Sequence, residues 1–504
     1  MRSKKAFKNV LSAALYQVVT IICGLITPRL ILSNFGSTYN GVVTSASQFL
    51  HVISILTLGI TGATRLALYK PLSQNDTLGV SRIMKATKTY MRKVAFCVIA
   101  YAVILCAIYP FISHNELTHT QNATLIAIVS LGTFAQYFFG ISNQMLLQAD
   151  QSSYVVYALD IFKTIVNTIF VAVFIKLGGS IYTVKLASSV VFFITPVILN
   201  MYVKKKYKLI SKCEPSNEGL EQRGAVAVHS VANMVHDNAP LIVLTLFTDA
   251  KLISVYTVYC LVVGKIKSLL QIVTTGIEAA FGNMWVKNEK DVLKKNFRGF
   301  EFLIFTFVTV VFSCVGILIL PFISRYTSGV NDIQYVRLDL AFLMTMAEAV
   351  FCIRQPYMIL VYATGNYRRT RNGAIAESVL NLLVSLSLVG FIGINGVVIG
   401  TLVANAFRTI QYVIFTSKNI LERSILTVVK RALLCISNIS IICLASNWIL
   451  SKILFSSSWI GWIMQGIIVF ALSAVITFVT SFIFYRDDMK IITSLLKRIL
   501  KKDS

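Results

Sequence analysis

The chain has 504 residues, 56% of them hydrophobic and 13% charged, with a formal net charge of +26. A soluble globular chain carries roughly 25% charged residues, so water is excluded as the main solvent. The positive balance points to nucleic acid only in a soluble chain with a basic face, and here the cations are spread between long apolar runs.

Crossing the ~30 Å hydrocarbon layer takes about 20 mostly apolar residues. Such runs recur from end to end and predict fourteen spans: 9 to 32, 39 to 66, 92 to 113, 122 to 148, 154 to 177, 180 to 203, 225 to 249, 252 to 280, 299 to 324, 338 to 365, 373 to 394, 396 to 417, 431 to 451 and 459 to 485. The first run is read as a span rather than a cleaved leader. It is full length, carries Pro28 and Arg29 near its end and shows no small-residue cleavage site. The fold class is therefore an all-α polytopic membrane protein.

With the N-terminus placed in the cytoplasm, that side collects 34 of the 47 lysines and arginines. The opposite loops hold Lys176, Lys185, Lys251, Arg325, Arg337 and Lys452. This asymmetry follows the positive-inside rule, puts both termini in the cytoplasm and explains the basic balance without a polyanion partner. The cysteines form no metal or redox spacing. Eight sit inside apolar runs (Cys23, Cys97, Cys106, Cys260, Cys314, Cys352, Cys435 and Cys443) and Cys213 lies in a loop, a distribution that suits packing rather than disulfide or zinc chemistry.

The polar stretch 204–224 separates six spans from the next six and reads as a cytoplasmic linker. Comparison at an offset of about 212 to 214 residues pairs Asn34-Phe35-Gly36 with Leu246-Phe247-Thr248 and Asn167 with Asn381. The repeat predicts two parallel six-helix lobes, residues 1–203 and 225–419. Residues 420–504 add two helices, with few polar residues expected along them, and a basic tail.

A charge at mid-bilayer costs about 2.5 to 3.5 kcal/mol on insertion scales, which makes intramembrane charges functional candidates. The spans contain Arg29, Arg65, Lys163, Lys265, Lys267, Arg354 and Arg408, against Asp160, Asp237, Glu278, Glu348 and Glu377. Helical spacing gathers several on single faces: Lys267, Gln271, Thr274 and Glu278; Glu377, Asn381 and Ser385; Thr401, Asn405 and Arg408; His229, Asn233, His236 and Asp237; Thr44, Gln48 and His51. Asp160 and Lys163, three apart, are expected to neutralise one another. Gly396 and Gly400 form a GxxxG pattern suited to close helix packing. No Walker loop, nucleophile elbow or HExxH occurs, so no enzyme is expected.

Several runs resemble the polysaccharide-unit flippases of the Wzx type, members of the multidrug/oligosaccharidyl-lipid/polysaccharide exporter superfamily. They are Pro28 to Gly36, Tyr39-Asn40-Gly41, Leu58-Gly59-Ile60, His236-Asp237-Asn238, Ser254-Val255-Tyr256, Gly365-Asn366-Tyr367, Glu377 to Asn381, Gly393 to Val397 and Gly400-Thr401. The resemblance implies a MATE-like pair of lobes around a cationic cavity in a bacterial plasma membrane. It implies alternating-access export of an undecaprenyl-diphosphate-linked oligosaccharide of O-antigen or capsule type, driven by an ion gradient or the membrane potential.

The substrate-binding cations would be Arg29, Arg65, Lys265, Lys267, Arg354 and Arg408. The coupling-ion candidates are Asp237, Glu377, Asn381, Thr401 and Asn405, for Na+ or H+, with no other cofactor and no resident metal. Expected partners are the lipid-linked oligosaccharide, the bilayer and glycan-polymerase machinery, with no nucleic acid. The alternative is a cation-coupled multidrug or small-molecule exporter of the same superfamily.

Overall fold

A computed structural model describes residues 2–210, 213–216, 224–453 and 458–502, and among them sixteen α-helices and no β-strand are found. Eleven helical stretches are long and apolar enough to cross a membrane. The first of these, Lys8–Thr57, bends partway and covers two of the fourteen expected spans; the helices that hold Val231–Phe247 and Leu338–Ala363 account for the other two. Large apolar side chains on the spanning helices face outward, among them Phe111, Ile460 and Phe484, while serine, threonine, asparagine and arginine side chains are buried. This inverted distribution suits a lipid solvent, in which polar groups must be satisfied internally.

The chain divides into two compact units, residues 1–257 with 329–333, and residues 258–328 with 334–504. In the first unit, α1 spans Arg2–Val52. Its opening half presents Leu11, Leu15, Val18, Ile22 and Ile26 as an exposed row at helical spacing. The helix bends at Gly36, whose φ of 82° belongs to the left-handed region that a side chain disfavours. Asp332 holds the bend: it accepts from the Ser37 backbone N–H at 2.7 Å and from the Ser37 hydroxyl at 2.6 Å, capping the second half of the helix.

The second expected span is not one continuous α-helix. After Val52 the backbone tightens into a 3₁₀ turn over Ile53–Thr57, breaks at Gly59 and resumes as α2, Ile60–Ser73. Next come α3 (Thr77–Ile112) and α4 (His119–Ala135), then a π turn at Gln136–Gly140 that leads into α5 (Ile141–Ala149). α6 (Ser153–Lys176) packs along α1, and α7 (Ile181–Tyr207) packs along α4. The core between them holds Val42, Ala46, Leu50, Tyr109, Leu125, Val171 and Val184. α8 (Gly224–Phe247) completes the unit, and the chain crosses to the second unit inside α9, Ala250–Val286.

Polar ties fix this unit at both ends. Asn40 donates to the Ser254 hydroxyl at 2.8 Å, and Gln48 donates to Asn238. In the loop after α5, Asp150 gathers Lys5, Ser152, Lys206 and Tyr207. Burial pushes its carboxyl up, but the donors from Tyr207, Ser152 and Lys206 outweigh burial and hold it below its ordinary value.

In the second unit, α10 (Lys290–Tyr326) buries Phe297, Ile304, Val308 and Phe312 on one face, and Glu301 sits in that same stripe. α11 (Leu338–Ala363), α12 (Tyr367–Ile392) and α13 (Ile394–Thr416) follow. The GxxxG pattern does pack closely: a Cβ added at Gly400 would lie 2.2 Å from Ser385 Oγ and 2.9 Å from the Asn381 carbonyl oxygen, both on α12. Gly400→Val is therefore expected to separate α12 from α13 and cost about 1 to 3 kcal/mol; an unchanged thermal midpoint in detergent would contradict the packing.

α14 (Leu426–Lys452) and α15 (Trp459–Phe484) pack on α10. The expectation that few polar residues line these two helices needs correction. Asn438 and Ser446 on α14, and Ser473, Thr477 and Ser481 on α15, are all buried, and Asn438 donates to Thr480 at 2.9 Å. Small polar side chains let helices approach closely in lipid while still pairing. The basic tail also has structure: α16, Arg486–Lys502, begins one residue after α15 ends and packs on α10.

Candidate functional site

The first unit encloses a cavity of about 650 Å³. Set among apolar side chains on its wall, Ser47, Ser54, Thr57, Thr61, Thr133, Ser188 and Ser189 supply hydroxyls, Gln136 and Gln144 amides, and Lys163 and Lys185 positive charge. The π turn explains why Gln136 and Tyr137 both reach it. Inserting one residue into a helical ladder rotates the following side chains, and such bulges recur at functional sites.

The expected Asp160–Lys163 pair forms at 2.5 Å, with both side chains largely buried. Lys185 behaves differently. Read from the sequence as an outer-loop cation, it lies instead in the second turn of α7 against the cavity, and it has no acidic or hydrogen-bonding partner among the described residues. Hydropathy alone cannot separate a loop lysine from one a turn inside a helix end.

Of the predicted cations in this unit, Arg29 is partly buried in α1, seven residues before the bend. Arg65 lies on α2, donating to the Thr61 carbonyl and to Gln148 Oε1, each at 3.3 Å, with no acid beside it among the described residues. Asp237 is exposed on α8 while its neighbour His236 is buried.

The second unit joins residues that the sequence had assigned to two separate roles. Arg354 on α11 donates to Glu377 on α12, and Arg408 on α13 approaches the other carboxylate oxygen at 3.5 Å. All three are buried, at 4%, 3% and 2% exposure. Arg408 also donates to the Thr370 carbonyl at 2.9 Å and to the Tyr412 hydroxyl at 2.6 Å. Glu377 thus serves as the shared counter-ion of two predicted substrate cations.

Lys267 lies with its ammonium 4.0 Å from the centre of the Phe351 ring, and the Arg354 guanidinium is 4.5 Å from the same ring, a cation–π arrangement. Lys265, two residues away on α9, is partly buried and has no acidic partner among the described residues. Asn381 is fully buried and accepts from Ser385 at 3.2 Å. Asn405 donates to the Ala347 carbonyl at 3.1 Å, leaving its own carbonyl oxygen buried without a partner among the described residues, and Thr401 donates to the Val397 carbonyl. The side chains of His229, Gln271 and Thr274 lie outside those described.

No protein-family model matches the chain, and no curated protein matches it by sequence. Solved structures do match. The lipid II flippase MurJ, in an inward closed conformation, gives a TM-score of 0.69 at 13% identity, covering 94% of this chain and 99% of the flippase. A multidrug-resistance transporter of the MATE family, in the MOP superfamily, gives 0.61 at 14% identity in an inward-facing conformation, over 80% of this chain and 94% of its own. An outward-facing MATE transporter gives 0.61 at 13%, over 83% and 96%.

The chain has the fold of these transporters. The proteins that share it are transporters and flippases rather than enzymes.

A second ionic cluster was missed at the sequence level. Glu301 on α10, fully buried, accepts from the Tyr357 hydroxyl at 2.6 Å and from Arg423 at 2.8 Å, and forms an ion pair with Arg431 at 3.0 Å. Arg431 also pairs with Asp488 of α16, as does Arg298. Arg423, Arg431 and Asp488 read from sequence as loop, span-edge and tail charges; Arg423 meets Glu301 across 122 residues and Arg431 meets Asp488 across 57, which leaves no local pattern to find.

Proposed function

We propose that this protein is a flippase that carries an undecaprenyl-diphosphate-linked oligosaccharide, of the O-antigen or capsule type, from the inner to the outer leaflet of a bacterial plasma membrane by alternating access. The observation that carries the reading is that Lys185 and Lys265, in spanning helices, and Arg65, on the short α2 that follows the first spanning stretch, have no acid to pair with among the described residues. Unpaired cations in that setting are costly, and an anionic cargo is the partner that compensates them. The candidates for meeting the diphosphate are Arg29 and Arg65 of the first unit and, separately, Lys265 and Lys267 of the second, where Glu377 holds Arg354 and Arg408.

Two further facts favour a glycolipid over a cationic drug. The flippase match covers 94% of this chain and the two MATE matches 80% and 83%, which suits a molecule with two helices beyond twelve. A cation exporter needs free acids, whereas Asp160, Glu301 and Glu377 are already engaged by cations. An inside-negative potential favours outward movement of an anion by about 2.3 kcal/mol per charge per 100 mV; Na+ or H+ coupling through Asp237, Asn381, Thr401 and Asn405 would add to it.

The test is leaflet-resolved assay of an undecaprenyl-diphosphate oligosaccharide in proteoliposomes. The protein should move the glycolipid, and Arg65→Gln combined with Lys265→Gln should slow it about a hundred- to ten-thousandfold, since charge-assisted hydrogen bonds contribute about 1.5 to 3 kcal/mol each and two are removed. Glycolipid that stays in its starting leaflet, with a cationic dye transported instead, would select the drug-exporter alternative.

A further inference from the structure

We propose that the polar cavity of the first unit is a subsite for an acidic sugar of the transported glycan, with the Lys185 ammonium receiving the sugar carboxylate. This rests on the transport reading above and narrows its substrate class from any glycan to an anionic one.

The wall chemistry argues for a sugar. Serine and threonine hydroxyls and glutamine amides each donate and accept, as sugar hydroxyls do, and the seven hydroxyl residues with Gln136 and Gln144 surround a volume of about 650 Å³, within the range of small-molecule sites. Phe192 and Tyr137 add aromatic carbon to the wall.

The charge argues for an acid on that sugar. No carboxylate lines the cavity among the described residues. The Lys163 ammonium is neutralised by Asp160 at 2.5 Å and lies over the Phe192 ring. Lys185, seven residues before Phe192 and so about 10 Å along the helix, has no partner among the described residues and leaves the cavity net positive.

The wall also separates a carboxylate from the diphosphate, the other oxyanion of the same glycolipid. Diphosphate recognition favours the planar arginine fork, and no arginine lines this cavity. One lysine left over among hydroxyls once Lys163 is paired with Asp160 suits one carboxylate, and the arginine at α2 stays available for the lipid end.

The experiment compares two glycolipids with the same lipid and diphosphate, one bearing a hexuronic acid and the other its neutral hexose counterpart, in proteoliposomes of the full chain. Wild type should prefer the acidic form about tenfold, the value of one charge-assisted contact. Lys185→Gln should bring transport of the acidic form down to that of the neutral one, and Lys185→Arg should keep most of the preference, which also shows that the position tolerates substitution. No preference in wild type, or an equal loss on both glycolipids in Lys185→Gln, overturns the assignment; the second result gives Lys185 to the diphosphate.

A separate arm measures thermal stabilisation of the purified protein by the lipid-free acidic and neutral oligosaccharides. Stabilisation by the acidic form alone, lost in Lys185→Gln, upholds the subsite even where neither glycolipid is moved, in which case it is the flippase reading that fails.

Discussion

Replacing Glu377 with glutamine is expected to destabilise the purified protein by about 3 to 5 kcal/mol, the usual consequence of removing one partner from a buried ion pair. Arg354 and Arg408 approach the two oxygens of this carboxylate and are themselves 4% and 2% exposed. An arginine does not shed its proton inside a protein, so the variant leaves two guanidinium groups facing each other in a low-dielectric setting with only neutral acceptors. Thermal unfolding in detergent should show a much lower midpoint.

The double variant Glu377→Gln with Arg354→Gln should recover part of the loss, because one excess charge goes with the acid. That non-additivity is the mark of a direct coupling. If Glu377 instead acts chiefly as a coupling-ion ligand, Glu377→Gln would keep its stability, lose its dependence on Na+ or H+, and gain nothing from the second substitution.

The legible part of this molecule was the part written in local periodicity. Fourteen apolar runs of spanning length predicted the helices, since the 20-residue requirement comes from the bilayer and not from the partners a helix finds. Asp160 and Lys163 were readable as a pair because three residues is one helical turn, and Gly396 and Gly400 because small residues four apart share a face.

The Arg354–Glu377–Arg408 cluster was not readable as one unit. Its members are 23 and 31 residues apart, on three helices whose mutual rotation no single helix encodes. The sequence accordingly placed the arginines with the substrate and the glutamate with a coupling ion. Lys185 failed for a different reason: a lysine near a helix end satisfies a charge-sidedness count whether it points to an interface or into a cavity. The bend at Gly36 lay within a recognised motif, but only the Asp332 cap, 295 residues away in sequence, shows what the motif is for.

The buried cluster around Glu301 yields the other large expected effect. Its carboxylate is fully buried, accepts three hydrogen bonds from Tyr357 and Arg423, and pairs with Arg431 at 3.0 Å; these residues come from α11, the segment after α13, and α14. Glu301→Gln keeps the shape but replaces an acceptor of two cations by a neutral amide, half of which is itself a donor facing guanidinium groups. A loss of about 3 to 5 kcal/mol is expected.

Because Arg431 bridges Glu301 to Asp488, the damage should spread to α16. Burial already pushes the Asp488 carboxyl above its ordinary value, against the pull of Arg431 and Arg298. A glutamine at 301 leaves Arg431 to Asp488 alone, whereas Asp488→Asn leaves Glu301 its bonds to Arg423, Arg431 and Tyr357. The asymmetry orders the variants: Glu301→Gln should cost more than Asp488→Asn, and limited proteolysis should release the C-terminal helix in both. Equal stability of the two variants and wild type, with α16 still protected, would mean that apolar packing on α10 holds the helix and that the ionic cluster contributes little.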